Sequence, residues 1–79
     1  MADEKKVLRS IETTDGTRCV DIFLRPDATF GFEEYRRDVE DSRWFPVGGN
    51  SSRICGTESA ALDEAVSTVP WLGAVVRPN

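Results

Sequence analysis

The side chains able to do chemistry in this sequence are few and scattered. Its thiols are Cys19 and Cys55, and histidine is absent. A chain without histidine lacks the side chain that most often serves as general base and as metal ligand near neutral pH. Two cysteines fall short of the four ligands of a structural zinc site, and are too few and too unpatterned for the disulfide framework of a secreted mini-protein. They read as reduced thiols, with a structural disulfide as the minor alternative. A reactive thiolate needs an electropositive, partly exposed setting. Arg18 and Arg53 lie close by in sequence, yet a free cysteine is more often a small buried hydrophobe.

The carboxylates Glu33, Glu34, Asp38, Glu40 and Asp41 gather in one stretch. Neighbouring strand residues point to opposite faces, so Glu33 and Glu34 cannot serve one site, and a solvated strand and loop is the expected reading. Gly48-Gly49-Asn50-Ser51-Ser52 offers backbone N–H groups to an anion but has neither the spacing nor the lysine of a phosphate loop. It reads as a flexible loop. No catalytic, metal or cofactor site is expected from these groups, and the chain is not expected to be an enzyme.

A more informative group is aromatic and basic: Phe23, Arg25, Tyr35, Arg37 and Trp44. Whether these residues meet depends on the elements that carry them. Val7 to Thr13 reads as a first strand, closed by Asp15-Gly16, a dipeptide suited to a hairpin because both positions tolerate positive φ. Thr17 to Leu24 alternates, with Arg18, Val20, Ile22 and Leu24 on one face and Cys19, Asp21 and Phe23 on the other. Arg25-Pro26-Asp27-Ala28 makes the next turn, proline pre-setting φ and aspartate bonding the backbone beyond it. If its last position is left-handed, Ala28 carries a steric penalty that glycine would relieve.

Thr29 to Arg37 forms a third strand. Phe30, Phe32, Glu34 and Arg36 share one face; Gly31, Glu33 and Tyr35 share the other. Asp38 to Arg43 is turn-like, and Trp44-Phe45-Pro46-Val47 is a short fourth strand, edge or irregular because Pro46 cannot donate to a ladder. Thr57 has the hydroxyl of an N-cap and Glu58 the charge that suits a first turn, so a helix is expected from Glu58 to about Val69. Its apolar stripe is Leu62, Ala65, Val66 and Val69, and Pro70 ends it. Trp71 and Leu72 are expected to fold back on the sheet.

These elements give an α+β fold, an antiparallel meander of three to four strands with one C-terminal helix packed on one face. Val20, Ile22, Leu24 and Phe32 are the expected partners of Leu62, Val66 and Val69. Residues 1–6 read as a disordered tail and residues 7–79 as a single domain, as befits 79 residues. So small a domain buries only about 60% of its unfolded surface, and its core rarely supplies more than about 3–5 kcal/mol without a staple or partner. The formal charge of −4, from 14 acidic and 10 basic residues in mixed order, suits a solvated surface and argues against nucleic acid as the main partner. No apolar run reaches the roughly 20 residues of a spanning helix. Met1-Ala2-Asp3-Glu4-Lys5-Lys6 lacks a signal peptide's apolar segment, so no membrane contact and a cytoplasmic location are expected.

The runs Asp15-Gly16-Thr17-Arg18-Cys19-Val20-Asp21-Ile22-Phe23, Arg25-Pro26-Asp27 and Thr29-Phe30-Gly31-Phe32-Glu33-Glu34-Tyr35-Arg36-Arg37-Asp38, together with Trp44-Phe45 and the segment before Pro70-Trp71, resemble a group of short uncharacterised bacterial proteins. The resemblance covers most of the chain and implies a bacterial, cytoplasmic protein; it carries no activity and transfers no site. That group commonly has glycine after Pro-Asp, where this chain has Ala28.

With one helix covering one face, Phe23, Tyr35 and Trp44 or Phe45 fall on the uncovered side among Arg25 and Arg37. Such a surface suits a protein partner or a second copy of the chain, and a non-enzymatic interaction domain is the first expectation. The alternative is a weak single-stranded nucleic-acid binder that stacks bases on the same aromatics. A cysteine-nucleophile enzyme ranks last. The competing structural reading is that the C-terminal tail covers this face, or that its aromatics are ordinary cross-strand pairs.

Overall fold

A computed structural model describes residues 5–38, 40–41, 43–48 and 53–76. Strands β1 (Lys6–Glu12), β2 (Arg18–Leu24), β3 (Phe30–Arg36) and β4 (Phe45–Pro46) lie in sequence order in one antiparallel sheet. Helix α1 (Glu58–Thr68) and the short α2 (Leu72–Val76) follow. The expected α+β meander is what the chain forms. β1 begins one residue earlier than Val7: Lys6 pairs with Leu24, and the Lys5 ammonium lies over the Phe23 ring. Residues 1–4 of the expected tail, and 49–52 of the expected glycine-serine loop, lie outside the described residues.

Both hairpin turns are built on the same device. In the first, Asp15 Oδ1 accepts from Thr13 Oγ1, Thr17 N and Thr17 Oγ1, and Gly16 sits at φ 73°. In the second, Asp27 Oδ1 accepts from Thr29 N and Oγ1, and Ala28 sits at φ 71°. Ala28 N donates to Arg25 O at 3.0 Å and Arg25 N to Thr29 O at 2.8 Å, so Pro26-Asp27-Ala28 is a three-residue loop whose last position is left-handed. The left-handed position thus falls on Ala28, where the steric penalty of an L-residue applies. The threonine hydroxyls hold both aspartate carboxyls below their usual range, Thr13 first for Asp15 and Thr29 for Asp27.

These turns fix the register. Ile22 pairs with Phe32, Val20 with Glu34 and Leu24 with Phe30 on one face; Cys19 pairs with Tyr35, Asp21 with Glu33 and Phe23 with Gly31 on the other. A bulge in β1 between Val7 and Arg9 resets its alternation, after which Ile11 faces Val20 while Ser10 faces Asp21 and Glu12 faces Cys19. The outer edge of β3 is shared. Phe30 exchanges two backbone hydrogen bonds with Cys55, at 2.9 and 2.8 Å, and Val47 N donates to Glu34 O at 2.8 Å. β4 pairs with Tyr35 and Arg36 and forms the short edge that Pro46 dictates.

Thr57 caps α1 as expected, its hydroxyl accepting from Ala60 N at 3.0 Å. The helix lies on β2 and β3 and buries Val20, Ile22, Phe32, Cys55, Ala61, Ala65, Val69 and Leu72 together. Its contact line differs from the expected stripe. Ala61, Ala65 and Val69 run down the centre, while Leu62 and Val66 are only partly buried at its flanks. The small alanines let the helix axis approach the sheet, and the larger side chains close the rim. Leu24, expected in this core, is half-buried and outside the buried cluster.

Trp71 and Leu72 do fold back, and they do so on the helix side. Leu72 is fully buried in the main core, α2 packs against α1 and β1, and Trp71 Nε1 donates to Glu34 Oε2 at 3.0 Å. Among the described residues, therefore, the tail leaves the other face of the sheet uncovered. No helix there is long and apolar enough to cross a membrane.

Candidate functional site

The face opposite α1 carries the residues singled out from sequence, but it divides them into two groups of different character. At one end Phe23 lies across Gly31. A Cβ at Gly31 would come within 2.9 Å of the Phe23 ring and 2.6 Å of Arg25 Nη2, so glycine is what allows the ring to lie flat on the strand backbone. Lys5 Nζ, 4.3 Å from the ring centroid, and the Arg25 guanidinium, at 5.0 Å, close over it. Arg25 is held in place by donating to Thr29 Oγ1, Phe30 O and Arg53 O. Phe23 is consequently only 1% exposed. Its expected role as a docking or base-stacking surface is corrected here: it stands on the predicted face but is covered by its own cations.

At the other end, Arg37 and Trp44 form a second stacked pair, 4.5 Å from guanidinium carbon to ring centroid. Arg37 Nε donates to Gly16 O at 2.9 Å, which ties the first hairpin turn to the edge of the sheet. Arg25 and Arg37, expected to interleave with accessible aromatics, instead spend their guanidinium groups on intramolecular contacts. Tyr35 and Trp44 remain half-buried and bound a cleft of about 230 Å³, whose other walls are Ser10, Glu12, Cys19 and Asp21.

Glu12 and Asp21 are the charged residues that line this cleft. Ser10 Oγ donates to Asp21 Oδ1 at 2.7 Å, and the Cys19 thiol points at the same oxygen from 3.4 Å. Among the described residues no donor reaches Asp21 Oδ2, and Glu12 makes no ion pair. Glu33, opposite Asp21 in the register, is 3% exposed, and its Oε2 is sealed from water with no hydrogen-bond partner. The expectation that Glu33 and Glu34 are solvated is therefore corrected for both. Glu34 is 8% exposed, but on the helix side, where Trp71 Nε1 and Arg18 Nη1, at 3.5 Å, satisfy it.

The negative field of this face has chemical consequences. Burial pushes the Cys19 thiol up to about 12, assisted by the Asp21 charge, the hydrogen bond to Asp21 and the Glu12 charge. A thiol so placed stays protonated through the range in which cysteine nucleophiles work. Burial, followed by the charges of Asp21 and Glu33, raises the Tyr35 phenol as well. Among the described residues no three His, Cys, Asp or Glu side chains are grouped to hold a metal ion, so the carboxylates form a field and not a ligand set.

Of the five residues named from sequence, Tyr35 and Trp44 line the cleft, Arg37 buttresses it, and Phe23 with Arg25 forms a separate closed unit. Ser10, Glu12 and Asp21 were missed as site residues. Strand alternation already set Asp21 on the face of Cys19 and Phe23, and this was the signal available; its pairing with Glu33 is fixed by the register. No family model, curated protein or solved structure matches the chain.

Proposed function

We propose that this chain is a small protein-interaction domain that engages a different protein through the open face around Tyr35 and Trp44. The observation carrying this reading is a cleft that the chain's own cations leave acidic: two arginines of the face are committed to rings and backbone carbonyls, while Glu12 and Asp21 Oδ2 remain unpaired among the described residues. A symmetric pairing of two copies through this face would oppose the same carboxylates, which favours a different protein over a second copy. The nucleic-acid alternative is weaker on the same grounds, since phosphates meet a negative field and Phe23 has no exposed ring to stack on.

The test is selection of a random peptide library displayed on phage. Clones are expected to enrich on the wild-type domain and to lose binding on Trp44→Ser, with circular dichroism checking that the variant is folded. The paired substitution Glu12→Gln with Asp21→Asn provides a second variant whose changes lie at the surface. Absence of enrichment, or clones that bind all three proteins equally, would overturn the reading.

A further inference from the structure

The character of the cleft narrows the partner, on the premise that the open face is an interaction surface. At about 230 Å³ the cleft is smaller than the roughly 300–1,000 Å³ of sites built for small-molecule ligands; it has room for one side chain. Its walls offer two kinds of contact. Tyr35 and Trp44 present aromatic surface, which suits an aliphatic stem and a cation held near the rings. Glu12 and Asp21 present carboxylate, with Asp21 Oδ2 lacking a donor among the described residues.

A second observation is independent of these lining groups. Glu33 shares the face through its pairing with Asp21, and its charge is felt at the Tyr35 phenol on the cleft wall. It is 3% exposed, and its Oε2 has no hydrogen-bond partner. A buried carboxylate oxygen is normally paired, because leaving one unpaired is costly. Its neighbour Glu34, also buried, has both a tryptophan N–H and an arginine. Glu33 lies behind the cleft and does not line it. The cation beside the cleft, Arg37, is stacked on Trp44 and bonded to Gly16 O, and among the described residues no cation pairs with Asp21 or Glu12.

We infer that the cleft receives the ammonium or guanidinium of one lysine or arginine side chain presented by a partner protein, held between Tyr35 and Trp44 against Asp21 and Glu12. The stem lies along the rings while the head supplies the missing donor to Asp21 Oδ2 and brings positive charge towards Glu33.

The experiment follows backbone amide and indole resonances of the ¹⁵N-labelled domain by NMR. The probes are the pentapeptide acetyl-Gly-Gly-Lys-Gly-Gly-amide, its arginine and norleucine counterparts, and n-butylamine. Lysine and arginine peptides are expected to shift Ser10, Cys19, Tyr35 and the Trp44 indole. Norleucine, which keeps the stem and lacks the charge, should leave them in place. Glu12→Gln with Asp21→Asn should weaken the lysine peptide by about tenfold, and added salt should weaken it further. Shifts of equal size with norleucine would overturn the cation while leaving an interaction surface. Butylamine binding as tightly as the lysine peptide would show a site for free amines and overturn the protein partner. If the lysine peptide shifts nothing at the cleft, the inference fails, and the library selection decides separately whether the interaction reading fails with it.

Discussion

Glu33 and Glu34 are neighbours in the chain, both withdrawn from water, and they sit on opposite faces of the same strand. On the helix side, Glu34 is absorbed into the fold: Trp71 Nε1 reaches it across the core edge, and Arg18 lies alongside. On the open side, Glu33 keeps an oxygen without a partner, and the Tyr35 phenol on that face is raised by burial and then by the charges of Asp21 and Glu33. The same side chain thus marks a finished face and an unfinished one. A polar group satisfied within the chain contributes to holding a tail in place, whereas one left unsatisfied costs stability that selection has not removed, and such groups concentrate where a second molecule completes them.

The two faces also differ in what covers their aromatic rings, and this sets the largest expected effect. Phe32 lies in the main core beneath α1, walled by Val20, Ile22 and the helix. Phe23 is covered by the side chains of Lys5 and Arg25 over Gly31. Phe32→Ala should cost about 3–5 kcal/mol in urea unfolding, because the packed helix and strands cannot collapse onto the void. Phe23→Ala should cost below about 3 kcal/mol, because the Lys5 side chain above the ring can follow it inward even while Arg25 stays on its carbonyls. Equal losses would mean that the open face is packed as firmly as the core, and the contrast between the faces would break.

A smaller effect isolates the carboxylates. Glu34→Ala strands the Trp71 N–H and removes the partner of Arg18, so a loss of about 1–3 kcal/mol is expected. Glu33→Ala removes a sealed oxygen that bonds nothing, so it should be neutral or slightly stabilising. The positions are adjacent on one strand, so the difference between the variants largely cancels strand propensity and reads the partners. If Glu33→Ala were as costly as Glu34→Ala, Glu33 would have a partner in the free protein, and the shortage of positive charge that motivates a cationic ligand would disappear.

Much of this contrast was legible in the sequence because strand alternation is a strict period. Alternation sorts Val20, Ile22 and Phe32 from Cys19, Asp21, Glu33 and Tyr35, and the register places the first set under the helix and the second on the open side. Thr57, Glu58 and Pro70 marked α1 through local capping chemistry. What escaped depended on events outside any one element. The β1 bulge between Val7 and Arg9 decides that Ser10 and Glu12 join Asp21, and no periodicity in Lys6–Glu12 announces it. The closure of Phe23 needs Lys5 from the expected tail and Arg25 from a turn, brought together over a glycine. The burial of Glu34 depends on a tryptophan 37 residues further along the chain.

The smallest expected effect tests what keeps the faces apart. A one-residue slip between β2 and β3 would send Glu34 to the open side and Glu33 into the core, so the contrast rests on the turn that sets the register. That turn requires Ala28 at φ 71°, a conformation costing an L-residue roughly 1–2 kcal/mol, whereas glycine adopts it freely and costs about 0.4–1 kcal/mol through the unfolded chain. Ala28→Gly should therefore stabilise the domain by about 0.5–1 kcal/mol, raising Tm by roughly 3–6 °C at this size. The first hairpin already has that solution, with Gly16 at φ 73° in the same Asp-x-Thr setting. A lowered Tm for Ala28→Gly would mean that the loop does not hold its last residue left-handed. The pairing of Asp21 with Glu33, and with it the acidic cleft, would then lose the turn that specifies it.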